Sequence, residues 1–249
     1  MNGMSGLREM ALRALLAAAL CVPALAGAEG WPAAGQIVYQ VSMGNNGPLV
    51  GEARQSWSRD GSEYRITNTV RTVGLAALIK NMQYVQRSEG RAGADGLRPA
   101  RFSVEREGRQ AERVEFDWKA AQLRFTRKER TREAALGAGA QDVLSLWHQI
   151  AQRADQPLPA SAQVVTGRKV AESTLAWVGE ETLELPLGKL QTRRLKARAV
   201  DGSMEIDVWF APARNMLPVR IRMVDDEGEV LEQRASELRI GAVTQGAGE

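Results

Sequence analysis

Cysteine and histidine are almost absent from this chain. Cys21 and His148 are the only ones among 249 residues. The usual zinc sets need several such ligands, so only carboxylate metal sites remain open. Charge of one sign is also missing. The net charge is +3, with 33 basic residues against 30 acidic ones. The basic residues are interleaved with acids, whereas a nucleic-acid protein clusters them. Nucleic acid is therefore not an expected partner. Long hydrophobic runs are lacking too. The one notable run, Ala14 to Val22, is far short of the ~20 residues a spanning helix needs. The protein is not expected to be transmembrane.

That short run has a specific context. Arg8 and Arg13 precede it and Pro23 breaks it. Two small-x-small sites follow, Ala24-Leu25-Ala26 and Ala26-Gly27-Ala28. This is the layout of a secretory signal peptide over residues 1–28, with cleavage after Ala26 or Ala28. Lipid attachment at Cys21 would need a small residue before it, and Leu20 stands there. Cleavage removes Cys21 and leaves no disulfide and no thiol nucleophile. Residues 29–249 then form one β-rich domain in the periplasm, held by a packed core. Its 44% hydrophobic and 25% charged residues are ordinary for a globular protein.

Period-two alternation dominates the mature segment. Ile37, Tyr39, Val41 and Met43 alternate with Val38, Gln40 and Ser42. Phe102 and Val104, Phe116 and Trp118, and Leu123 and Phe125 sit two apart. Met204, Ile206, Val208 and Phe210 form another series, as do Val219, Ile221 and Met223. Such spacing predicts antiparallel sheet with one buried face. Asn46-Gly47, Asp60-Gly61, Asp95-Gly96, Asp201-Gly202 and Glu227-Gly228 are the hairpin turns. Strands are expected over about 35–130 and 160–240, with 131–141 as a loop.

One segment departs from this pattern. Val143, Leu144, Leu146, Trp147, Ile150, Ala151 and Ala154 draw a stripe down a helix over 142–154. Asp142 is its expected N-cap, and Pro157 and Pro159 end it. Gln149 and Gln152 lie on the polar, solvated face of this helix, and His148 falls at the edge of the stripe. A shorter helix is expected over 75–80. The fold class is thus mainly β: a curved antiparallel sheet, an open or half barrel, wrapped around one main helix.

Several motifs recur in a fixed order. They are Gly96-Leu97-Arg98-Pro99 leading into Phe102, then Phe116-Asp117-Trp118, Asp142-Val143-Leu144-Ser145-Leu146 and Leu185-Pro186-Leu187-Gly188 with Thr192. Val208-Trp209-Phe210-Ala211-Pro212, Leu217-Pro218-Val219 and Asp226-Glu227-Gly228 complete the series. Together they resemble the secreted proteobacterial "domain of unknown function" family numbered thirty-one hundred and eight. The resemblance implies a periplasmic β-rich protein with no assigned chemistry. More loosely, the pattern is similar to half-barrel lipoprotein carriers and β-spiral envelope proteins, in which a curved sheet wraps a helix.

Candidate chemistry is thin. Ser145 lies one turn from His148, but neighbours on one helix do not assemble a triad. Asp225-Asp226-Glu227-Gly228-Glu229 lacks the alternate ligand spacing of a calcium loop. Glu180, Glu181 and Glu184 do not face each other as paired glycosidase carboxylates must. No phosphate-loop sequence occurs. Arg124, Arg127, Lys128, Arg130 and Arg132 form a basic run that meets anionic headgroups or an acidic partner, or else guards a hairpin edge. Trp209 either sits under a loop or lines an exposed groove.

No enzyme activity, metal or cofactor is therefore expected. The leading expectation is a periplasmic protein that binds a lipid or other hydrophobic ligand in the concave face of its sheet. Trp147, Ile150 and Phe210 are the candidate cavity lining. The alternative is an envelope-integrity scaffold that binds a partner protein, with the helix packed tight and no cavity left.

Overall fold

The computed structural model describes residues 31–44, 47–79 and 82–241. The expected signal peptide over residues 1–28, Asn46, Lys80 and the residues beyond Gly241 lie outside the described residues. Eight strands come first: β1 (Ala34–Met43), β2 (Leu49–Asp60), β3 (Glu63–Thr72), β4 (Gln83–Gly93), β5 (Gly96–Arg106), β6 (Arg109–Asp117), β7 (Gln122–Arg127) and β8 (Arg130–Ala135). Helix α1 (Gly74–Ile79) links β3 to β4. The chain then crosses through β9 (Gln141–Asp142) and helix α2 (Ser145–Gln152). Six strands follow: β10 (Ser161–Val165), β11 (Val170–Leu185), β12 (Gly188–Ala199), β13 (Met204–Ala211), β14 (Leu217–Asp225) and β15 (Val230–Ile240).

All fifteen strands form one curved, unclosed sheet. The first group runs in sequence order from β8 back to β1. There β1 pairs with β15, Gly35 opposite Ile240 and Met43 opposite Leu231. The second group continues from β15 to β9. Every pairing is antiparallel except that of β9 with β10. Alternation fills the interior: Tyr64, Ile66, Phe102, Val104, Val114, Phe116, Leu123, Phe125, Val208, Phe210, Val219 and Ile221 are all buried. Helix α2 lies inside the curve, against β5, β9 and β14, and buries Leu146, Trp147, Ile150 and Ala151.

The sheet edges approach each other without a backbone ladder, and side chains bridge the seam. Gln163 Oε1 accepts from the Gly137 amide at 2.9 Å, and its Nε2 donates to the Ala135 carbonyl at 3.3 Å. Arg168 Nε donates to Glu112 Oε1 at 2.8 Å. Arg132 donates to the Arg168 carbonyl. Gly167 permits this approach, because a Cβ there would stand 2.7 Å from Glu112 Oε2.

Four local expectations need correction. Residues 131–141 are not a plain loop, since β8 occupies Arg130–Ala135. Its side chains are almost all exposed, so no apolar alternation marks it. The assigned helix starts at Ser145 rather than Asp142. Asp142 still caps the turn that leads into it, with Oδ1 accepting from the amides of Leu144 at 2.9 Å and Ser145 at 3.0 Å. Gln149 and Gln152 are docking residues rather than a solvated face. Gln149 Oε1 accepts from the Leu97 amide at 2.5 Å, and Gln152 Nε2 donates to the Gly93 carbonyl at 3.0 Å. They pin the helix to the β4–β5 turn, where Gly96 has φ +98° and lies too close to Gln149 for any Cβ. His148, finally, is fully buried rather than at a boundary.

Candidate ligand cavity

The helix does not fill the curve. A cavity of about 510 Å³ lies between α2, the start of β10 and the middle of β11. Leu146 and Ile150 come from the apolar stripe of α2. Leu158 comes from the segment beyond the helix, and Ala162, Leu175 and Trp177 from β10 and β11. Polar groups stand around them: Gln141, Gln149, Arg153, Gln163 and Glu172. Helix stripe and strand alternation thus aim apolar side chains at one volume. Pro157 and Pro159 end the helix and line the cavity on either side of Leu158. The size and the mix of an apolar wall with a few polar groups suit a small-molecule site, where volumes run to roughly 300–1,000 Å³.

Of the three residues expected to line a cavity, Ile150 does so. Trp147 is buried in the core beside it. Phe210 is fully buried and packs edge-on against Trp177, with centroids 5.7 Å apart, so it stands behind the wall. Leu146, from the same helix stripe, and Leu158, Ala162, Leu175 and Trp177 carry the rest of the apolar wall, and sequence reasoning named none of them as lining. The β11 pair shows a usable signal, since Leu175 and Trp177 alternate with Thr174 and Ala176. Leu158 and Ala162 show none.

The remaining candidates separate. His148 Nδ1 accepts from Trp31 Nε1 at 2.7 Å, and its Nε2 lies 3.0 Å from Gln55 Oε1. With Nδ1 an acceptor, the neutral ring donates from Nε2. Burial pushes its pKa down to about 3. Ser145 bonds instead to the Asp142 backbone, donating from its hydroxyl to the carbonyl and accepting from the amide. No serine–histidine pair forms there. Asp142 Oδ2 accepts from Ser88 Oγ at 2.6 Å, and burial pushes the carboxyl pKa up. This polar cluster fixes the helix entrance.

Trp209 lies under a hairpin. The β11–β12 tip folds over the outer face, with the Leu187 amide bonded to the Ala235 carbonyl at 3.1 Å. Trp209 Nε1 donates to Glu181 Oε1 at 2.6 Å, and Arg194 and Arg220 cover its ring. Glu180 and Glu184 face Arg193 and Lys189 rather than each other. Asp225 Oδ1 accepts from the amides of Glu227 and Glu229, closing a hairpin turn. Among the described residues no group of three or more His, Cys, Asp or Glu side chains is placed to hold a metal ion. No described helix is long and apolar enough to cross a membrane.

A long meander curved round a single helix, with a partly apolar cavity at the helix, defines a β-barrel-like protein. Its likeness to one solved structure shows the same architecture. The β-barrel-like DUF1849 protein of Brucella abortus superposes with a TM-score of 0.60 at 12% identity, over 85% of this chain and 99% of that one. A protein with a YmcC-like fold from Bacteroides fragilis gives 0.36 at 12% identity, covering 82% and 95%. A protein from Parabacteroides distasonis described as a lipoprotein gives 0.37 at 9%, covering 84% and 97%. The chain itself belongs to the family described as "Protein of unknown function (DUF3108)", whose model matches residues 38–234. No curated protein matches it in sequence.

Proposed function

We propose that this chain is a non-enzymatic protein of the periplasm, exported by residues 1–28, that holds one acyl chain or similar apolar ligand beside α2. The observation that carries this reading is the cavity of about 510 Å³ walled by Leu146, Ile150, Leu158, Ala162, Leu175 and Trp177. An apolar chain entering it leaves water for an apolar wall, a gain of roughly 0.8 kcal/mol for each buried methylene. The scaffold alternative called for a helix packed tight against the sheet, and the open volume beside Ile150 weighs against it.

The test is a titration with cis-parinaric acid, a fluorescent fatty acid. Leu175 points into the cavity and Ala176, its neighbour, points out. Leu175→Trp should abolish saturable binding while Ala176→Trp keeps it. Equal binding by both variants would remove the cavity from the account.

A further inference from the structure

The meander gives the molecule two chemically different ends. The β1–β2, β3–β4, β5–β6 and β7–β8 connections emerge at one end. The β2–β3, β4–β5 and β6–β7 turns emerge at the other. Two strands separate neighbouring connections at one end, roughly 10 Å along the sheet.

The first end is apolar, then basic. Leu78 on α1 is 83% exposed. Met82, just before β4, is 45% exposed, and Met43 and Leu49 flank the β1–β2 turn at similar exposure. Next to α1 come the β5–β6 and β7–β8 turns. A surface hollow of about 490 Å³ lies between them. Its walls carry four cations, Arg106, Arg109, Arg127 and Lys128, against the carboxylates of Glu112 and Glu129. Glu112 is buried and already holds Arg106, Arg127 and Arg168 within 4 Å. Arg109, Lys128 and Arg130 are exposed, and no described carboxylate lies within 4 Å of them.

The β7–β8 turn is also held at a cost. Lys128 has φ +49° and Glu129 φ +62°, left-handed values that Asn-Gly would adopt more cheaply. The turn thus keeps a lysine at its tip where stability alone favours other residues. The opposite end differs. Its three turns are mixed in charge, with Asp60, Glu63, Asp95 and Asp117 beside Arg59, Arg91, Arg98 and Lys119, and none of them carries an exposed large apolar side chain. On the apolar–basic end the acidic turn Asp225 to Glu229 stands beyond Met43, on the far side from the basic hollow.

We infer that this end is a docking face for an anionic lipid bilayer. Leu78 and Met82 enter the headgroup boundary, and the hollow between the β5–β6 and β7–β8 turns takes headgroup phosphate. Exposed apolar side chains beside unpaired cations are the combination that binds such a surface. The acidic turn across the same end tilts the molecule so that only the basic side makes contact. The cavity beside α2 lies toward the other end, so docking leaves its mouth clear. The inference does not depend on what the cavity holds.

The test is co-sedimentation of protein recovered from the periplasm with two vesicle types. One is phosphatidylcholine alone, the other an equal mixture with phosphatidylglycerol. Binding is expected to the anionic vesicles only, and high salt should weaken it. Arg109→Gln and Lys128→Gln should each cost about fivefold, the loss of one cation near the surface. Leu78→Glu should abolish binding. Lys119→Gln, at the other end, should leave it unchanged. Binding to neither vesicle, equal binding to both, or equal sensitivity at Lys119 and Lys128 would overturn the inference. So would vesicle-free self-association that Leu78→Glu removes, since the face would then belong to a second copy of the chain.

Discussion

His148 shows most clearly what one buried polar residue does here. Its ring is locked neutral between Trp31 and Gln55, with the Trp31 and Trp57 rings each 5.3 Å away. The unfolded chain takes up a proton near pH 6.5, while the folded ring resists until about pH 3. Between those values the unfolded state binds more protons, so stability falls as the pH falls. The slope cannot exceed about 1.4 kcal/mol per pH unit for one group. Asp142, with its pKa raised by burial, acts the opposite way and equally in any His148 variant. The window from pH 6.5 to about 4.5 lies above ordinary carboxylate titration. In that window the melting temperature of the native protein should fall relative to that of His148→Gln as the pH is lowered. Parallel slopes for the two proteins would contradict the burial. The sequence showed His148 only as a residue at the edge of a stripe. Its partners come from outside the helix, Gln55 on β2 and Trp31 before β1, and no local pattern announces contacts across 93 and 117 positions. For the same reason Gln149 read as a solvated residue, although it receives the Leu97 amide from β5.

At the scale of elements, the seam is where the fold depends on side chains rather than backbone. Glu112 on β6 meets Arg168 from the β10–β11 turn at 2.8 Å, with Arg106 and Arg127 within 3.6 Å. Burial pushes the Glu112 carboxyl up, but the Arg168 hydrogen bond and the Arg106 charge outweigh it and hold the group below its usual range. Its contribution is therefore present above the ordinary carboxylate pKa and is lost as the pH falls through the lowered folded value. Glu112→Gln should cost about 1–3 kcal/mol at neutral pH, typical for a buried charged hydrogen-bond acceptor. The difference from the native protein should vanish in strong acid. Urea unfolding at the two pH values measures both. A neutral-pH cost near zero would mean that the latch does not join the edges. Elements with apolar alternation, such as β5, β6, β7 and β13, were legible in the sequence. Edge strand β8, reading Arg-Thr-Arg-Glu-Ala-Ala, was not, because it buries almost nothing and its role lies in backbone pairing with β7.

For the whole molecule, period-two alternation, hairpin punctuation and one helical stripe were together enough to give a curved sheet wound round a helix. Asp60-Gly61, Asp95-Gly96, Asp201-Gly202 and Glu227-Gly228 all fall at or beside hairpin turns. What sequence cannot encode locally is how strands 34–43 and 230–240 find each other and make two groups one sheet. The unfilled volume is equally non-local, since its wall needs α2, β10 and β11 in place together. That volume underlies the central claim, that the protein carries an apolar chain. Mass spectrometry of lipids extracted from protein purified from the periplasm tests it most directly. The account predicts about one chain-bearing lipid per native protein and a marked loss of it from Leu175→Trp. Lipid-free native protein, or the same lipid yield from both proteins, would contradict it.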